Sequence, residues 1–133
     1  MKKLAYIAMP YRGKHQWEVH QNIQAAYRLA MKYWRLGFVA ICPHGNTAYF
    51  SCELPDSVWL KGDLEILRRC DCIVMGPRWE KSRGARQELR KAKKWGLEII
   101  FDDSRETELY CYGYLITEAS RERLEVKQWH EAE

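Results

Sequence analysis

The chain has 133 residues, enough to bury one core and too few for two domains. Its 22 Lys and Arg against 18 Asp and Glu leave a formal charge of +4, too mild to demand a nucleic-acid polymer yet compatible with an anionic metabolite. Five cysteines without zinc-ligand spacing fit a reduced, cytoplasmic protein rather than a disulfide framework, and no apolar run approaches the roughly 20 residues of a membrane span.

Along the chain, Leu4 to Met9 reads as a first strand, ended by the turn Pro10-Tyr11-Arg12-Gly13. The spacing then predicts a helix from Gln16 to Leu36 with a buried stripe of Val19, Ile23, Ala26, Ala30 and Tyr33, stopped by Gly37. Phe38 to Cys42 is a second strand that Pro43 ends, and a loop runs on to Pro55. Asp56 is placed as N-cap of a helix carrying Leu60, Leu64 and Leu67, which leads to a short buried strand from Asp71 to Gly76. A further helix opens at Ser82 to Gly84, repeats Ala85, Leu89 and Ala92 at helical spacing and ends at Gly96, before a fourth strand from Leu97 to Phe101. This alternation calls for an α/β fold, a Rossmann-like parallel sheet of four to five strands with helices on both faces, in a single domain spanning 1–133. In the tail, residues 102–133, Tyr110, Tyr112 and Tyr114 alternate like a strand and Leu124 to Trp129 is spaced like a helix. The tail is more apolar than a free terminus should be, and a homo-oligomer, a dimer or higher, would bury it.

Ligands of open parallel sheets gather beyond the carboxyl ends of the strands, where strand order reverses. Tyr6, the turn carrying Arg12 and Gly13, the loop at His44 and the segment Trp79 to Ser82 belong to that end, whereas Asp71 starts a strand at the opposite end and reads as a turn or capping residue. The helix start at Ser82 and Gly84 turns unpaired N–H groups and a positive dipole end toward an anion, and Glu88 follows one turn later on the same face. The plainer alternative makes Ser82 an N-cap and Glu88 a solvated charge. Trp79 suits stacking on a base or packing in the core, and His44 suits a base contact or an ordinary loop position. Arg86, Arg90, Lys93 and Lys94 form the wet face of one helix rather than an RNA site. No Walker loop, GxGxxG or metal-ligand spacing occurs, so neither a cofactor nor a metal is called for.

Three motifs in order, Tyr6-Ile7-Ala8-Met9-Pro10-Tyr11-Arg12-Gly13, Asp63-Leu64 ahead of Cys70-Asp71, and Ser82-x-Gly84-x-x-x-Glu88, resemble the nucleoside 2-deoxyribosyltransferase superfamily. Their spacing is also similar to that of 2′-deoxynucleoside 5′-phosphate N-hydrolases, and Gly76 to Ala85 looks like a phage and bacterial branch of uncharacterised members. The resemblance runs from Lys3 to Phe101 and implies a glutamate nucleophile at Glu88, an acid for the departing base at Asp63, a tyrosine orienting the nucleophile at Tyr6, and 5′-phosphate contacts from Arg12 and Ser82. Pro10 stands where the hydrolases carry a phosphate-binding serine, and Arg86 where they usually carry glycine. The chemistry needs these groups: breaking an N-glycosidic bond develops oxocarbenium character, which one carboxylate traps while a second, protonated carboxyl assists the base. Trp59 beside Asp63 should raise the pKa of that acid, and the nearby helix start should keep Glu88 ionised. The resulting expectation is an N-glycosidase acting on a small-molecule nucleotide or nucleoside, hydrolysing a (deoxy)nucleoside 5′-monophosphate. A deoxyribosyltransferase and a non-catalytic nucleotide-binding or sensing module are the alternatives.

Overall fold

Four short apolar runs form one parallel sheet in the computed structural model, which describes residues 1–50 and 52–102. In chain order the elements are β1 (Leu4–Ala8), α1 (Gln16–Arg35), β2 (Val39–Ile41), α2 (Pro43–Asn46), α3 (Asp56–Arg68), β3 (Cys72–Met75), α4 (Arg83–Lys94) and β4 (Glu98–Phe101), with one 3-10 turn, Trp79–Lys81, leading into α4. The strands lie in the order β2-β1-β3-β4, with Tyr6 of β1 opposite Ile41 on one side and Ile73 on the other.

Side chains alternate across a strand, and the two faces are covered by different helices. Ala5, Ile7, Cys72 and Val74 pack with α1, whereas Tyr6, Ala8, Ile73 and Met75 pack with Leu67 of α3 and with Ala85, Leu89 and Ala92 of α4. Adjacent β1 and β3 therefore send their following helices to opposite faces, which opens a crevice beyond their carboxyl ends.

Helix α1 starts on His15, whose Nδ1 accepts the Glu18 N–H at 3.2 Å, and stops at Gly37, where φ is 96°. Its buried face is rotated from the predicted stripe. Ala26, Ala30 and Tyr33 are buried as expected, but Val19 and Ile23 are only partly so, and Asn22, Ala25, Leu29 and Lys32 take the inner face. Two polar groups can sit inside because each finds partners there. Asn22 Nδ2 donates to the carbonyls of Tyr11 and Arg12, at 3.0 and 3.2 Å, and Lys32 Nζ pairs with Asp102.

The predicted loop after β2 contains the short helix α2, favoured by Pro43 at its first position. Pro55, not Asp56, is the N-cap residue of α3; Asp56 is the first helical residue, and its carboxylate faces Arg12 instead of capping backbone. Leu60 is exposed, Leu64 partly buried and Leu67 fully buried, because only the last turns of α3 reach the sheet. Asp71 accepts the Leu4 N–H at 2.7 Å, in keeping with a capping role far from the crevice. Cys70 and Cys72 are buried, their thiols donating to the carbonyls of Ile66 and Leu4.

The chain leaves β4 at a fixed point. Asp102 N–H donates to Met75 at 2.9 Å, and its carboxylate accepts from Lys32 Nζ at 2.8 Å and Tyr33 Oη at 3.0 Å, all buried against α1. The strand and helix predicted within 103–133, and the interface predicted for that tail, lie outside the described residues.

Candidate functional site

Period-2 alternation turns Tyr6 toward the α3 and α4 face, and the inner stripe of α4 brings Glu88 over the same spot. The Tyr6 hydroxyl donates to Glu88 Oε2. Tyr6 is fully buried, and its phenol is held well above its ordinary pKa by burial and then by the neighbouring Glu88 and Asp63 carboxyls. It is a fixed donor that does not ionise near neutrality.

Burial pushes Glu88 up to about 8; the Tyr6 hydrogen bond pulls it down and the charge of Asp63 pushes it further up. Asp63 on α3 is raised to about 6, by burial. The order reverses the expectation that Glu88 is the more easily ionised carboxyl. Glu88 lies in the second turn of α4, beyond reach of most of the helix-start field, and its side chain is turned in over the sheet. Desolvation therefore outweighs the dipole. The three groups form one electrostatic unit contributed by β1, α3 and α4.

The residues expected to contact a phosphate are placed as follows. Ser82 is the N-cap of α4, its Oγ accepting the Ala85 N–H at 3.1 Å, so the capping role is realised. A methyl group on Gly84 would meet nothing closer than Ser82 Oγ at 3.9 Å, leaving that side of the helix start open. Arg12 is exposed and pairs with Asp56 at 3.1 Å, a bridge from the β1–α1 turn to the start of α3. Gly13 is pressed against α1: a Cβ there would lie 2.7 Å from Glu18 Cβ and 3.1 Å from Val19 N.

His44 and Trp79 are both engaged by the fold. His44 is buried, its Nε2 donating to the Pro10 carbonyl at 2.9 Å and its ring stacked on Tyr11 at 5.3 Å; burial lowers its pKa, so the ring stays neutral. It ties α2 to the turn after β1. Trp79 is partly buried, with its ring tilted on Phe101 at 5.7 Å.

Sequence reasoning missed two features. Asn22 holds the Tyr11–Arg12 turn by its side-chain amide, a role that a polar residue in a helical stripe could have signalled. Trp59, one turn before Asp63, keeps a buried Nε1 with no acceptor among the described residues while its ring tilts on Phe50 at 5.8 Å. Such a donor loses free energy unless something accepts from it. Among the described residues no group of three or more His, Cys, Asp or Glu could hold a metal ion, and no helix is long and apolar enough to cross a membrane.

The model of one protein family, a domain of unknown function termed DUF4406, matches residues 3–101, from the first strand to the end of β4. No curated protein matches the chain. The matched stretch contains Tyr6, Asp63 and Glu88 together with Arg12 and Ser82, and on that match the chain belongs to the DUF4406 family.

Proposed function

We propose that this protein is a nucleotide or nucleoside N-glycosidase that hydrolyses the bond between base and sugar, with a (deoxy)nucleoside 5′-monophosphate as substrate. The observation that carries the reading is the Tyr6–Glu88 hydrogen bond with Asp63 close enough to raise the pKa of both. The resemblance of the surrounding motifs to the nucleoside 2-deoxyribosyltransferase superfamily points the same way. In the proposed reaction a Glu88 carboxylate oxygen bonds to the anomeric carbon as the carbon–nitrogen bond breaks, and the electron pair leaves with the base, which takes a proton from Asp63. Water then attacks the anomeric carbon, giving one proton to the Asp63 carboxylate, and the ester bond breaks with its electron pair returning to Glu88. Tyr6 fixes the attacking oxygen, while Ser82, the open side of Gly84 and Arg12 supply the phosphate end.

The two pKa values impose a condition on this chemistry. With Glu88 at about 8 and Asp63 at about 6, the state with Glu88 ionised and Asp63 protonated is the minor form. At pH 7 it amounts to roughly one molecule in a hundred if the groups titrate independently. Positive charge developing on the sugar favours the ionised form of Glu88 and shifts that balance.

The direct test incubates the protein with a panel of nucleotides and nucleosides, with and without a second free base. Release of free base supports hydrolysis. A new nucleoside would make the protein a transferase, and saturable binding without products would make it a nucleotide sensor. Trapping a sugar ester on Glu88 by mass spectrometry identifies the nucleophile; an ester on Asp63 would exchange the two roles.

A further inference from the structure

Helix α1 buries one side against the sheet and presents a second apolar side outward. Trp17, Tyr27, Met31 and Trp34 are 64, 43, 49 and 50 % exposed, on a helix whose inner face is already filled. With His20 and Gln24, the polar members of the row, they stand at intervals of three and four residues, the spacing of helices that pack on another helix. The N-terminal half of this side has a cavity of about 250 Å³, bordered by Trp17, Gln24 and Arg28 among others. Three large apolar residues, Tyr27, Met31 and Trp34, close together on the C-terminal half of one exposed side are more than scattered surface hydrophobicity.

We infer that this outer side of α1 is the docking surface for the chain's own C-terminal segment, residues 103–133. Three observations select that occupant. The segment follows Asp102, which Lys32 and Tyr33 hold against the inner side of the last turn of α1, so it starts on the same helix and has only to pass round it to reach that outer side. Charge is complementary: residues 1–102 hold 18 Lys and Arg against 10 Asp and Glu, while residues 103–133 hold 4 against 8. The segment also carries its own apolar residues, Leu124, Val126 and Trp129, at spacing that suits a helix, and 31 residues easily span the roughly 30 Å of α1. Docking close to the origin of the segment gains from a high effective concentration.

The full-length protein tests this by limited trypsin digestion followed by mass spectrometry, with Arg105, Arg121, Arg123 and Lys127 as cleavage sites in the segment. Cleavage there is expected to be at least about ten-fold faster in Met31→Glu/Trp34→Glu than in the unsubstituted chain, with Arg28→Glu between them and high salt acting like Arg28→Glu. The same rates in all three proteins would overturn the inference. Hydrogen exchange on the unsubstituted chain gives an independent reading: amides within 109–129 are expected to be protected, and complete exchange in seconds overturns it. Protection that vanishes on dilution together with a dimeric mass in light scattering would assign α1 to a second copy and overturn docking in cis.

Discussion

Glu88 is half-buried, turned in over the sheet and hydrogen-bonded by Tyr6. If it is the nucleophile, kcat/KM should be bell-shaped with limbs near pH 6 and pH 8, from Asp63 and Glu88. Tyr6→Phe removes the bond that lowers the Glu88 pKa, so the upper limb should move above 8; an upper limb that stays in place would detach Tyr6 from Glu88. Stability follows the same titration. The folded-state pKa is raised from 4.5 to about 8, so the folded chain holds a proton that the unfolded chain releases between those values, and stability falls as pH rises through that window. Glu88→Gln should abolish turnover and melt higher than the unsubstituted protein at pH 8, by roughly 5 °C or more, with the gap closing by pH 4.5. An equal gap at both pH values would mean that the carboxyl is not titrating as a buried group. Asp63→Asn should slow substrates with poor leaving bases more than activated ones, and equal losses would give Asp63 a structural role. The sequence made this trio legible as residue types at family spacing, but not the order of their pKa values. That order depends on how far α4 turns Glu88 inward, which seven residues of local sequence do not encode.

Elements rather than side chains position the end of the crevice proposed to take the phosphate. The turn after β1 is held from three sides, by Asn22 under its carbonyls, by His44 on Pro10 and by the close approach of Gly13 to α1. Gly13→Ala should therefore cost about 1–3 kcal/mol, because Glu18 Cβ and the Val19 backbone cannot both give way. Gly45→Ala should cost less: its added methyl would strike the Tyr27 ring and hydroxyl, and Tyr27 is exposed enough to swing out. Urea melts of the two variants decide the comparison, and a Gly45→Ala loss equal to that of Gly13→Ala would contradict it. Arg12→Ala should raise KM for a 5′-monophosphate and spare the matching nucleoside. Equal effects on both would mean that Arg12 serves the turn through Asp56 and not an anion. The order of elements could be read from apolar runs and from Gly and Pro breaks, whereas the phase of α1 could not. Hydrophobic periodicity ranks Asn22 and Lys32 as outward residues, and only partners distant in sequence make their burial favourable.

For the whole molecule, the Lys32–Asp102 pair is the clamp between the last strand and the first helix. A buried pair that loses one member leaves a desolvated charge, so Lys32→Met should cost about 3–5 kcal/mol, and Lys32→Met/Asp102→Leu should recover part of it. Additive losses in the double-variant cycle would show that the two groups do not act as a pair. The fold also sorts the thiols of the chain by reactivity. Burial raises Cys42 and Cys70 to about 11 and Cys72 to about 12, whereas Cys52 lies exposed in the loop before α3. A thiol must lose its proton to attack an electrophile. A maleimide dye at neutral pH should thus pass over those three and label Cys52 first among the described cysteines. That would place a fluorescent reporter in the loop before α3, the helix that carries Asp63, without substituting any residue of the protein.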